Sequence, residues 1–207
     1  MARSRDKIQQ QQGFWDTEVS MPGHDDVVVW VDENADQVMR EAFPELYGRG
    51  WVKDDIEWGI DFAKHASAMP EVEAFMEGMT REDPRVRRTT WEWVLRDQEA
   101  GPRHYHRSVG FADLIIEAEQ PKIYVQDDDD RPGRFLLTIG SRRVGGHYGV
   151  LVEAKSVLPT RGELIRQLRH YGTVFGGPMV VVSPDDAYAK LLKDQGFRFV
   201  KCPRSLG

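Results

Sequence analysis

Residues 149–172 read GVLVEAKSVLPTRGELIRQLRHYG, and the rest of the chain is best understood outward from them. Val150, Leu151 and Val152 have the make-up of a buried strand centre, yet Glu153 and Lys155 follow at once. Residues i and i+2 of a strand share a face, so the carboxylate and the amine sit side by side while Ala154 points the other way. Charges beside a core are costly unless they are paired or put to use. The pair is therefore either a structural ion pair or part of a site. Helical spacing follows in PTRGELIRQLRHYGTVF, where Leu164, Ile165 and Leu168 form the apolar stripe. MVVVS then reads as a buried strand and PDDAYAKLLKDQG as a helix with Gly196 at its C-cap end. FRFVK reads as a last strand.

Upstream, RVRRTTWEWVL alternates and is rich in Thr, Trp and Val, as strands are. RDQEAGP is a turn cluster, and RHYHRSVGFADLIIEA returns as a long strand to make a hairpin. KIYVQ and RFLLTIG read as short strands on either side of DDDDRPG. That acidic run lacks the ligand spacing of a calcium loop and reads as a solvated turn. DDVVVWVDENADQVMREAF predicts a strand over 27–31 and then a helix with Asp32 or Asn34 as N-cap. KDDIEWGIDFAKHASA and PEVEAFMEGM have helical spacing, the second opening at Pro70. The sum is an α/β chain, a mixed central sheet flanked by helices.

The length, 207 residues with six Trp and nine Phe, suits one domain with insertions, or one domain plus a small appendage, with a substantial core. No stretch approaches the roughly 20 apolar residues of a membrane helix, and a single cysteine, Cys202, excludes an intramolecular disulfide. A cytoplasmic protein with no membrane partner is expected. The net charge of −6 hides an asymmetry. Residues 16–83 carry 18 acidic against 5 basic residues, and residues 84–207 carry 15 against 20. A polyanion should prefer the second part.

Asp113 interrupts a second apolar strand, with Leu114, Ile115 and Ile116 directly after it and Gly110 three residues before. A glycine there lets the strand bend or another group come close. If the strands of Asp113 and Glu153 pair, two carboxylates and one ammonium converge. Two such carboxylates repel unless a divalent cation lies between them, and oxygen ligands suit Mg²⁺ or Mn²⁺. Gln167 and Tyr171, four residues apart, share the inner face of the following helix. Arg161, Arg166, Arg169 and His170 decorate the same helix and suit a phosphate backbone.

GFAD, EAK and QLRHY, in this order, resemble the motifs G-x-x-D, E-x-K and Q-x-x-x-Y of the PD-(D/E)XK nuclease superfamily, in its RecB-like and lambda-exonuclease-like branch. The order of strands and helices around them also matches that superfamily's core. The resemblance implies a restriction-endonuclease-like core over 84–207 and a Mg- or Mn-dependent deoxyribonuclease. Residues 1–15 would be a flexible polar tail. Residues 16–83 would be an acidic strand and helix extension that includes the first core helix, with Glu57 as an additional acidic residue. By the same resemblance Asp113, Glu153 and the carbonyl of Ala154 would hold the metal. Lys155 would be the catalytic lysine, with Gln167 and Tyr171 supporting the site. DNA is the implied partner, and a homo-oligomer or larger nuclease complex is compatible with the resemblance. The competing reading is a catalytically silent binding or assembly module of a mobile-element or defence complex that keeps the fold.

Overall fold

Two short helices, His24–Glu33 (α1) and Ala35–Ala42 (α2), open the described part of the chain, residues 22–96 and 108–205 of a computed structural model. The segment read as a tail at 1–15 lies outside the described residues. The strand expected over 27–31 is instead the middle of α1. Its valines are β-branched, but Val27, Val28 and Val31 are buried together with Ala35, Val38, Met39 and Ala42. That is helical spacing, and burial of one helical face outweighs the weak strand preference of the residues. Asn34 does take the N-cap position, of α2.

The strands are Ile56–Trp58 (β1), Arg85–Arg96 (β2), Ser108–Asp127 (β3), Phe135–Arg143 (β4), Val150–Ala154 (β5), Met179–Ser183 (β6) and Arg198–Lys201 (β7). Three further α-helices, Phe62–Gly78 (α3), Arg161–Gly172 (α4) and Ala189–Asp194 (α5), complete the set among the described residues. The sheet is mixed. β2, β3 and β5 run antiparallel in turn, and β6 and β7 continue parallel to β5. β1 lies parallel and β4 antiparallel to the second half of β3. Helices cover both faces: α1 and α2 pack with Leu114, Ile116, Val150, Val152, Val180 and Val182. On the other face, Leu164, Leu168 and Leu192 from α4 and α5 pack with Ile115, Leu151 and Val181. The first two helices are thus part of the core, although they belong to the acidic section. No helix among the described residues is long and apolar enough to cross a membrane.

Two expected boundaries are absent. KIYVQ is not a separate strand but the second half of β3, which runs through Pro121. On one edge of β3 the ladder with β2 ends at Glu119 and the ladder with β1 begins at Ile123, so Pro121 falls in the gap between them. Likewise α3 runs through Pro70, which has no N–H for the carbonyl of Ala66. Burial of Ala68 and Val72 against Ile56, Ile123 and Val125 holds the two halves of α3 in one helix.

A buried ionic cluster ties this region together. Arg49 bonds both oxygens of Asp55 at 2.6 and 3.0 Å, Arg81 bonds it at 3.1 Å, and Lys122 stands 3.9 Å away. Burial pushes the Asp55 carboxyl up, but the bond from Arg49 and the charges of Arg81 and Arg49 hold it below the usual carboxylate range.

The hairpin β2–β3 turns over at one level. Ala112 and Ile115 both pack on the α4 side, although three residues apart, so the alternation of β3 slips between them. By register Glu92 is the residue of β2 opposite Asp113, between the pairs Trp91–Leu114 and Trp93–Ala112. Its φ of 51° lies in the left-handed region, the one non-glycine case among the described residues. Both strands are therefore irregular at Asp113.

Candidate active site

β5 pairs with β3 up to Leu114 opposite Val152, which makes Asp113 and Glu153 the next residues on the two strands. The apolar runs 114–116 and 150–152 bury the pairing and leave the carboxylates where it stops. Asp113 Oδ2 accepts a 2.8 Å hydrogen bond from the amide of Ala154, which fastens the end of β5 to β3. The amide of the next residue, Lys155, donates to Val182 on β6, so the backbone groups of Ala154 turn toward β3.

Glu153 is only 1 % exposed. Its Oε1 is bonded by Lys155 Nζ and by Gln167 Nε2, whereas Oε2 is buried with no hydrogen-bond partner. Burial, and next the Asp113 carboxylate, push the Glu153 carboxyl above its ordinary range against the pull of Lys155 and Gln167. A buried carboxylate with one unused oxygen beside a second carboxylate has the chemistry of a cation ligand. Residues Asp113, Glu153 and the carbonyl of Ala154 fit a hard divalent ion in donor type. Among the described residues no group of three or more His, Cys, Asp or Glu side chains is gathered to hold a metal ion. The donor set is two carboxylates and backbone.

Thr160 caps α4 through a reciprocal capping box with Glu163, which sets the helix so that Leu164, Leu168 and Tyr171 face the sheet. On that inner face Gln167 Nε2 also donates to Tyr171 Oη at 2.8 Å, and the Tyr171 hydroxyl donates to the carbonyl of Phe111 at 2.9 Å. Burial raises the Tyr171 phenol, so it stays a donor. A Cβ on Gly110 would stand 2.8 Å from Tyr171 Cε1, so the glycine makes room for the tyrosine ring. A chain of bonds thus runs from Lys155 through Glu153, Gln167 and Tyr171 to the strand of Asp113.

The structure therefore brings Asp113, Glu153, Ala154, Lys155, Gln167 and Tyr171 together. The arginines do not join them. Arg161 lies over the Tyr188 ring at 5.6 Å and Arg169 bonds Gln195 at 2.5 Å, both facing the α5 side. Arg166 and His170 are exposed on the outer face of α4. Glu57 is on β1 rather than on a helix, opposite Tyr124 far along β3 from Asp113, and forms an ion pair with Arg142. A strand Ile56–Trp58 replaces the helical start expected there because Ile56 pairs with Ile123 in the sheet.

One neighbour escaped the sequence reading. His24 Nε2, in the first turn of α1, lies 3.2 Å from Asp113 Oδ1. The two are 89 positions apart in sequence, and the local pattern after His24 favours a strand, so only the packing of α1 reveals the contact. A cavity of about 440 Å³ lies along β2 from Thr90 to Arg96, walled by Tyr148, Val174 and Phe175, and includes none of these site residues. No protein-family model matches the chain, and no curated protein or solved structure shows a significant match to it.

Proposed function

We propose that the chain is a Mg²⁺- or Mn²⁺-dependent nuclease that hydrolyses phosphodiester bonds in DNA. The observation that carries this reading is Glu153: buried, raised in pKa, and with Oε2 lacking any partner beside Asp113. A protein gains nothing in stability by keeping such a group without a use. Asp113, Glu153 and the carbonyl of Ala154 would hold the cation, which when bound polarises a phosphate oxygen and acidifies a bound water. Lys155 places an ammonium beside Glu153, where it can neutralise charge developing on the phosphate or exchange a proton with the attacking water. Gln167 and Tyr171 hold Glu153 and the Phe111 carbonyl in register and so fix the spacing of the two acidic strands. The succession β2, β3, β5, α4, β6 supports a restriction-endonuclease-like core, with the second half of β3, β4, β1 and α3 as an additional lobe of the same sheet.

Linear, circular and single-stranded DNA, and RNA, are incubated with the protein in Mg²⁺, Mn²⁺ or EDTA. DNA cleavage in either metal, absent in EDTA and in Asp113→Ala and Glu153→Ala variants that still fold, is expected. Full cleavage by both variants at saturating Mg²⁺ would remove the metal assignment. No hydrolysis of any substrate in either metal would leave the fold without the enzyme.

A further inference from the structure

We infer that the arm formed by β2 and β3 beyond the end of β5 is a base-stacking surface, so that the substrate class is single-stranded DNA or the unpaired end of a duplex. This rests on the nuclease reading above. β5 ends at Ala154, but the β2–β3 ladder continues past Asp113 through Trp93–Ala112, Val94–Phe111 and Leu95–Gly110. The arm therefore projects beside the carboxylates. Two large aromatic rings stand out on it: Phe111 is 61 % exposed and Trp91 is 43 % exposed.

The two rings share a face. Gly110 and Ala112 turn toward α4, which leaves Phe111 on the α1 side. Trp91 is directly opposite Leu114, which packs on the α1 side, and opposed residues of an antiparallel pair share a face. The slip at Glu92 and Asp113 is what returns both rings to this side while Trp93 and Leu95 stay with α4. Three residues of strand separate the level of Trp91 from that of Phe111, about 10 Å, close to the rise of three stacked nucleotides. Phe111 is two residues from Asp113, so a strand lying on the rings reaches that carboxylate.

The rings themselves select the kind of contact. They are uncharged and flat, so what they can hold of a nucleic acid is the face of an unstacked base. In a duplex those faces are stacked inside and out of reach. Stacking on aromatic side chains tolerates any base, so the arm would confer preference for unpaired strand without preference for sequence.

The test measures binding of a single-stranded oligonucleotide, its duplex and an abasic oligomer of equal length, in Ca²⁺, with Trp91→Ala, Phe111→Ala and Phe111→Tyr. Hydrolysis of bis(p-nitrophenyl) phosphate by the unaltered protein in Mn²⁺ runs alongside. Each alanine variant is expected to lose about tenfold in affinity for the ordinary single strand relative to the abasic one, and Phe111→Tyr to restore it. Equal losses on both oligomers, or none, overturn the stacking surface while hydrolysis of the small diester leaves the nuclease reading standing. If the two alanine changes instead weaken a poly-arginine peptide and leave DNA unaffected, the rings serve a basic protein segment and the proposal fails. Absence of both DNA binding and diester hydrolysis in the unaltered protein removes the nuclease reading and this surface with it.

Discussion

His24 and Asp113 are held 3.2 Å apart, imidazole Nε2 to carboxylate Oδ1, by the docking of α1 against β3 where its pairing with β5 stops. The other Asp113 oxygen is taken by the Ala154 amide, so the carboxylate is held both by α1 and by the backbone of β5. His24→Gln is expected to lower turnover and Mg²⁺ affinity by roughly 10-fold, the usual cost of loosening a ligand's outer partner. Its thermal midpoint should scarcely move, because the His24 side chain is about half exposed. Mg²⁺ titration of activity together with calorimetry checks both halves. Unaltered kinetics would make the contact incidental.

Glu153 contributes a pH dependence of its own to the metal-free fold. Its folded pKa is raised by burial and by Asp113, so the unfolded chain ionises first as pH rises. The contribution of Glu153 is therefore full below the unfolded value of about 4.3 and is lost as pH climbs from there to the folded value. In EDTA, Glu153→Gln should be more stable than the parent at pH 7, with the difference vanishing near pH 4. Mg²⁺ should reverse the order by stabilising the parent alone. Urea unfolding at several pH values decides it, and parallel curves for the two proteins would contradict the raised titration.

Gly110→Ala puts a methyl group 2.8 Å from Tyr171 Cε1. The ring must move, and its bonds to the Phe111 carbonyl and to Gln167 move with it. A stability loss of about 1–3 kcal/mol is expected, as for overpacking elsewhere, with a larger fractional loss of activity. Tyr171→Phe keeps the packing and removes only the hydroxyl, and should cost about 1 kcal/mol. If Gly110→Ala is as stable and active as the parent, α4 adapts more freely than this packing allows.

Asp55→Ala leaves Arg81, whose side chain is fully buried, without its carboxylate. Breaking a buried pair from one side costs ~3–5 kcal/mol. Replacement of Asp55 should therefore destabilise the fold far more than loss of an exposed pair such as Lys201 with Asp186. Chemical denaturation of both variants makes the comparison, and equal losses would show that the cluster is well solvated.

Periodicity made the strands β2, β5, β6 and β7 and helix α4 legible, because each has an apolar pattern matched to a single environment. Asp113, Glu153 and Lys155 were legible for a related reason: charges placed against apolar runs have few structural uses. Gln167 and Tyr171 came from their helical spacing, and Ala154 only from the family resemblance. α1 was misread because Val27–Val31 has a local preference for strand that only the facing sheet overrules. Pro70 and Pro121 looked like boundaries, yet each lies where a missing N–H can be borne. His24 could not be found at all, since a lone histidine carries no spacing that points to Asp113.

The missing N–H of Pro121 sits where β3 changes partners, from β2 to β1, with β4 bridging the change on the other edge. Lateral hydrogen bonding on one side is interrupted there, so β3 is one strand in geometry but has a seam in cooperativity. The lobe of β1, α3 and the far half of β3 has its own buried cluster, separate from the two that flank the carboxylates. Opening of such a unit need not carry its neighbour with it. The amides of Ile123 and Val125 should then exchange with solvent through smaller openings than those of Ile115 and Leu151, leaving the Asp113–Glu153 pair assembled while the lobe breathes.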